Sequence, residues 1–64
     1  MFLQHMLPHH LNNARDEGWP LLLPTGCVEY HGPHNVLGLD TILVEELLRR
    51  VSIRVNCVVA PPLW

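Results

Sequence analysis

Two carboxylates and two imidazoles lie within a twelve-residue segment near the middle of the chain. Glu29, His31, His34 and Asp40 form this set, and no lysine or arginine interrupts it. Imidazole and carboxylate ligands together favour Zn²⁺ or Mn²⁺ over Ca²⁺ or Cu⁺. The residue types therefore predict a site for a divalent metal ion.

The spacing of these residues suits one cation or an adjacent pair. Glu29 and His31 are two residues apart, so in an extended segment they share one side, with Cα atoms roughly 6.6 Å apart. The two oxygens of Asp40 can bridge two cations, and a pair about 3.5–4 Å apart can activate a water for hydrolysis. The spacing leaves a second interpretation open, in which these side chains are solvated and Asp40 only caps a helix.

A βαβ unit is predicted around this loop. The apolar run at residues 19–23 lacks polar alternation, which is typical of a strand buried on both faces of a parallel sheet. Residues 25–39 are predicted to form a loop, and residues 56–60 a second strand stopped by Pro61 and Pro62. The fold class is therefore α/β with a mostly parallel sheet, and the loop follows the carboxyl end of the first strand, where ligands bind in such sheets.

Two helices complete the predicted elements. Residues 9–17, preceded by Pro8 and followed by Gly18, predict a short helix. Asp40 or Thr41 is expected to cap and open a longer one. Its apolar stripe consists of Leu43, Val44, Leu47, Leu48 and Val51, and its expected ion pairs are Glu45 with Arg49 and Glu46 with Arg50.

Length and charge restrict the function classes. A chain of 64 residues is short for a domain, and one helix on two strands leaves sheet surface open, so we expect residues 1–64 to form a single partial domain. The net charge is −2 and the four arginines form no cluster, so no nucleic-acid partner is expected. Neither a signal peptide nor a membrane span is recognisable, which predicts a cytoplasmic protein without a membrane partner. Cys27 and Cys57 are expected to be reduced.

Specific motifs resemble the opening signature of the creatininase (creatinine amidohydrolase) family. Residues 23–34 read LPTGCVEYHGPH, residues 37–41 read LGLDT, and the second strand ends in Ala-Pro-Pro at residues 60–62. The family signature is Leu-Pro-x-Gly, then Glu-x-His-Gly-x-His, then Gly-x-Asp-Thr opening a helix. The resemblance covers residues 19–64, with a looser match before them.

The resemblance implies a metal-dependent amidohydrolase with a three-layer α/β/α fold and two divalent ions, zinc or manganese, with iron as a third candidate. Glu29 and His31 would each bind one ion and Asp40 would bridge them, with His34 in an outer or substrate-facing position. Tyr30, which lies between Glu29 and His31 in the sequence, is expected to point away from them, either as a packing residue or as a donor at the rim of the site. The substrate would be a small molecule with a cyclic amide, formamide or peptide-end C–N bond, and the full-length form a homo-oligomer. The remaining ligands would lie outside these 64 residues, so we expect weak metal binding and no turnover by this chain alone.

Several alternatives stay open. The sequence departs from the family pattern at His34-Asn35-Val36 and at Leu39, which leaves the substrate undecided. Cys27 borders the loop, and a small packing residue is favoured there over a soft ligand or nucleophile. His5, His9 and His10 are expected to be solvated rather than metal-binding. The rival function is a non-catalytic metal-binding or oligomerising module derived from the same fold.

Overall fold

The computed structural model describes residues 1–64 as an α/β unit of two helices and two short parallel strands. In chain order the elements are a 3₁₀ turn at Leu3–His5, α1 at Pro8–Asp16, β1 at Leu21–Leu22, α2 at Leu39–Arg54 and β2 at Val58–Val59. The predicted β-α-β order and the parallel pairing are confirmed. Both strands are shorter than the apolar runs that contain them.

The sheet is a parallel ladder that extends beyond the named strands. Leu21 pairs with Val58 and Leu22 with Val59. Pairing was expected to stop at the two prolines, but it resumes beyond them as an isolated bridge between Thr25 and Leu63. Proline has no N–H to donate to the ladder, so strand pairing is interrupted at Pro61 and Pro62. The chain continues in the same direction, and pairing resumes at Leu63.

The other edge of β2 carries the N-terminus of the chain. Val59 donates its N–H to the carbonyl oxygen of Met1 at 2.8 Å, and the Met1 ammonium donates to the carbonyl oxygen of Cys57 at 2.7 Å. Phe2 forms a parallel bridge with Val59. β2 therefore has hydrogen-bonded neighbours on both sides.

Helix α1 forms as its sequence predicts. Pro8 occupies the first turn, and Gly18 follows the helix with a φ of +73°, a conformation that glycine adopts readily. The Leu7 N–H, which has no partner within the helix, donates to Nδ1 of His10 at 3.0 Å. His10 thus stabilises the start of this helix by accepting that hydrogen bond.

Helix α2 departs from its prediction in two details. It begins one residue early, at Leu39, with Gly38 at the capping position, so neither Asp40 nor Thr41 is its cap. Asp40 instead lies in the first turn, where a carboxylate is favoured by the helix dipole. The expected Glu45–Arg49 pair is absent, because Arg49 binds Glu46.

Burial is limited to a small core beside β2. The seven buried residues are Ala14, Pro24, Thr41, Cys57, Val58, Val59 and Ala60. The expectation that the first strand is buried on both faces is wrong within this chain, since Leu21 is 63% and Leu23 54% exposed. The radius of gyration of 13.9 Å also exceeds the about 10.7 Å of a compact chain of this length.

The predicted apolar stripe of α2 is covered only in part. Leu43 and Leu47 are exposed, whereas Val44, Leu48 and Val51 are half-buried. The helix contacts β2, and two strands offer too narrow a surface to cover the whole stripe. None of the chain's helices combines the length and the apolarity needed to cross a bilayer.

Gly26 is the point where the loop after β1 packs against α2. A Cβ atom at this position would lie 2.7 Å from both the N and Cα atoms of Thr41, closer than real Cβ contacts come. The Gly26 N–H also donates to the Leu63 carbonyl at 2.8 Å. The Thr41 hydroxyl is buried there without a hydrogen-bond partner. This approach fixes the loop against the first turn of α2.

We predict that Gly26→Ala lowers the free energy of unfolding by about 1–3 kcal/mol, because the backbone of α2 has to move to admit a methyl group. Thermal and denaturant unfolding of the full chain would measure the loss. Adding Thr41→Ala should restore stability only in part, because it removes the hydroxyl, which is the atom nearest to the added methyl group, but leaves the backbone N and Cα of Thr41 2.7 Å away. Full recovery in the double variant would show that the threonine side chain, rather than the backbone, sets the constraint.

Glu46 forms the ion pairs on the surface of α2. It accepts hydrogen bonds from Arg49 Nε and Nη2 at 2.9 and 2.8 Å and from Arg50 Nε at 3.0 Å. These arginines lower the pKa of Glu46 to about 2 from an ordinary value of 4.5. Its contribution to stability is therefore complete above pH 4.5 and is lost as the pH falls towards 2.

Glu46→Gln should lower the melting temperature slightly at neutral pH, since exposed ion pairs contribute little. The difference from the unmodified chain should shrink between pH 4.5 and 2 in melts followed by circular dichroism. Glu45→Gln is the matched control, because Glu45 is exposed and forms no ion pair. An equal effect of the two substitutions at neutral pH would contradict the assignment.

Candidate metal site

Three side chains that can bind a metal lie around the carboxylate of Asp40. Asp40 Oδ2 lies 3.0 Å from Cys27 Sγ and 3.2 Å from His31 Nε2. The same His31 nitrogen lies 3.6 Å from Glu29 Oε1. Ligand atoms of Cys27, Glu29 and Asp40 all lie within 4.8 Å of one another. The structure thus brings together the three predicted ligands and adds a cysteine.

Two parts of the chain present this cluster. Cys27, Glu29 and His31 follow the carboxyl end of β1 on the loop, whereas Asp40 comes from the first turn of α2. The Glu29 N–H donates to the Leu37 carbonyl at 2.9 Å and so joins the start of the loop to its end. With Gly26 held against α2, this bond keeps the loop residues opposite Asp40.

Hydrogen bonding within the cluster changes the acidity of its members. The hydrogen bond from Cys27 is the main cause that lowers the pKa of Asp40, and the His31 charge adds to the effect against an opposing effect of burial. The same hydrogen bond, followed by burial and the Glu29 charge, raises the pKa of Cys27 to about 11. Without a cation, Cys27 is therefore a protonated hydrogen-bond donor at neutral pH.

The donor set and its dimensions fit a divalent cation. Zinc bonds of about 2.0–2.3 Å place two ligand atoms of a tetrahedral site roughly 3.3–3.8 Å apart. The separations of Cys27 Sγ and His31 Nε2 from Asp40 Oδ2, at 3.0 and 3.2 Å, lie just below that range. The side chains of Glu29 and Asp40 are 59% and 39% exposed, so the cluster is open to solvent.

The two residues predicted for outer or substrate-facing positions lie at the exposed edge of the loop. Tyr30 is 72% exposed and its side chain forms no hydrogen bond. His34 is exposed, and its Nε2 accepts a hydrogen bond from Asn35 Nδ2 at 3.1 Å. Asn35 also donates to the His31 carbonyl at 3.1 Å. The departure from the family pattern at Asn35 therefore supplies a hydrogen bond that shapes the loop behind His31.

The remaining histidines form no metal-ligand group with one another. The rings of His9 and His10 are tilted by 53° with centroids 4.1 Å apart, and His5 lies edge-on to Phe2. Both cysteines are free, as expected, and Cys57 is buried away from solvent. The residues able to bind a metal together are thus confined to the loop and the start of α2.

Cys27 is the residue whose place in the cluster the sequence interpretation missed. A signal for it exists, because Cys27, Glu29 and His31 alternate at a period of two, which places three side chains on one side of an extended segment. Val28 and Tyr30, which alternate with them, are both exposed. The sequence interpretation favoured a packing role for Cys27, because cysteine is most often a small buried residue.

Comparison with known proteins identifies the family of the chain. The family model described as "Creatininase: Creatinine amidohydrolase" matches residues 4–64. A curated relative, the 3-dehydro-scyllo-inosose hydrolase of Thermotoga maritima, is 39% identical over 44 residues, which are 69% of this chain and 14% of the relative. The chain therefore spans about one seventh of that protein's length. No solved structure matches the chain. Because the family model covers nearly every residue, this chain belongs to the creatininase family.

Proposed function

We propose that this chain supplies part of the active site of a metal-dependent hydrolase of the creatininase type, which cleaves a C–N bond in a small amide. The observation that carries the proposal is the convergence of Cys27 Sγ and His31 Nε2 on Asp40 Oδ2, with Glu29 beside them. Both contacts are made to a single oxygen of the carboxylate that is proposed as the shared ligand.

Glu29, His31 and Asp40 are the proposed metal ligands, with Zn²⁺ or Mn²⁺ as the expected ions and Fe²⁺ as a third candidate. Asp40 would be shared between two ions, Glu29 would bind one and His31 the other. When bound, two such cations polarise the scissile carbonyl and lower the pKa of a water between them. Exposed carboxylate oxygens leave the open face that a substrate needs.

The residues of the chain prepare the site in two ways. The first turn of α2 holds Asp40 where the helix dipole favours its anionic form, and the hydrogen bond from Cys27 also favours that form. The Asn35 side chain binds the His31 carbonyl and restricts the loop that presents the imidazole. Tyr30 and His34, at the exposed edge, are proposed substrate contacts.

The C–N bond class follows from the family description, creatinine amidohydrolase. The Thermotoga maritima relative is by its name a hydrolase of 3-dehydro-scyllo-inosose, so that compound belongs in the substrate panel beside cyclic amides, formamides and peptide ends. Many large apolar side chains are exposed, among them Leu21, Leu43 and Leu47. They support the further proposal that the active form is a homo-oligomer.

Catalytic zinc sites use about three protein ligands per ion, whereas Glu29, His31 and Asp40 give each of two ions only two. We therefore propose that residues 1–64 bind metal weakly and do not turn over an amide by themselves. A non-catalytic metal-binding module is the competing function, and turnover by the complete protein distinguishes the two.

Metal titration of the full chain tests the ligand assignment. Asp40→Asn should weaken Zn²⁺ and Mn²⁺ binding by at least about tenfold, because the shared ligand loses its charge. Isothermal titration and elemental analysis after dialysis would measure the change. Asp16→Asn is the matched control, since Asp16 is an exposed aspartate on α1 that pairs only with Arg15. Equal binding by the unmodified chain and the Asp40 variant would contradict the proposal.

A further inference from the structure

Cys27 belongs to the cluster but is not among the proposed metal ligands Glu29, His31 and Asp40. Its Sγ lies 3.0 Å from Asp40 Oδ2, and it belongs with Glu29 and Asp40 to the group whose ligand atoms lie within 4.8 Å of one another. The residue is half-buried, in contrast to the buried Cys57. A role in packing alone would not require the sulfur to face two carboxylates.

The two side chains that contact Asp40 Oδ2 differ in their ligand atoms. His31 contacts Asp40 Oδ2 and Glu29 Oε1 through Nε2, while Cys27 contacts the same Asp40 oxygen through sulfur. With sulfur included, Cys27, Glu29 and Asp40 provide three ligands for one ion. That number is the one that catalytic zinc sites take from the protein.

We propose that Cys27 is a metal ligand, and that its sulfur joins Glu29 and Asp40 on the ion bound at that side of the site. This inference rests on the proposed function, because it requires cations to bind at Asp40. A thiolate is a soft ligand, which favours Zn²⁺ and Cd²⁺ over Mn²⁺. Cys27 therefore makes this position selective for the softer metals.

The binding step involves one proton and no electron transfer. Without a cation the thiol donates its proton to Asp40 Oδ2. When sulfur binds the ion, the S–H bond breaks, a sulfur–metal bond forms and the proton passes to the solvent buffer. Asp40 Oδ2 then loses a hydrogen-bond donor and is free to bind the same cation.

Cobalt(II) is the probe that tests the inference, since a sulfur–cobalt bond gives a charge-transfer band in the near ultraviolet and oxygen or nitrogen ligands do not. The full chain loaded with Co²⁺ should show this band. Cys27→Ser should abolish the band, whereas Cys57→Ser, which alters the buried thiol, should keep it. In titrations, Cys27→Ser should weaken Cd²⁺ and Zn²⁺ binding at least about tenfold and Mn²⁺ binding less than about threefold.

The outcomes separate this inference from the function on which it rests. Binding of Co²⁺ that depends on Asp40 but gives no sulfur band would overturn the role of Cys27 and leave the proposed metal site standing. An absence of Co²⁺, Zn²⁺ and Mn²⁺ binding would overturn both. If circular dichroism shows that Cys27→Ser does not fold, the band in the unmodified chain and in Cys57→Ser decides the question.

Discussion

The approach of Gly26 to the backbone of Thr41 is the contact that joins the two parts of the candidate site. No side chain fits between them, so the segment after β1 and the first turn of α2 meet without a spacer. Cys27 and Asp40 are the residues next to this contact, and their side chains meet at 3.0 Å. The bond from Gly26 to Leu63 adds the segment after β2. Three stretches of chain distant in sequence thus fix one short distance in the site.

Asp40 is the electrostatic centre of this arrangement. One oxygen of its carboxylate, Oδ2, accepts a hydrogen bond from the Cys27 thiol and lies 3.2 Å from His31 Nε2. The lowered pKa of Asp40 favours its anionic form, which is the form that binds a cation.

Much of the local structure could be predicted because it depends on neighbours in sequence. Pro8 and Gly18 predicted the limits of α1, and the apolar runs around Leu22 and Val59 predicted parallel strands. The predicted cap of α2 was wrong, because the helix begins at Leu39 and so contains both Asp40 and Thr41. The pairing of Arg49 with Glu46 depends on a choice between two equally spaced acids. Local sequence patterns do not decide between alternatives that depend on tertiary contacts or on side-chain rotamers.

The site was predicted in part for the same reason. The spacing of Glu29, His31 and Asp40 carried enough information to group them, and the structure brings them together. The place of Cys27 in the cluster depends on the distance between the loop and α2. The spacing of residues in the sequence does not give that distance. Burial was predicted least well, because exposure of residues such as Leu21 depends on what else covers the sheet.

A crystal structure of the protein soaked with Zn²⁺ or Mn²⁺, with anomalous scattering used to locate the ions, tests the central claim most directly. The account predicts two peaks about 3.5–4 Å apart that share Asp40, one near Glu29 and Cys27 and the other near His31. Ions bound elsewhere with Asp40 free of metal, or no ion in the loop, would contradict it.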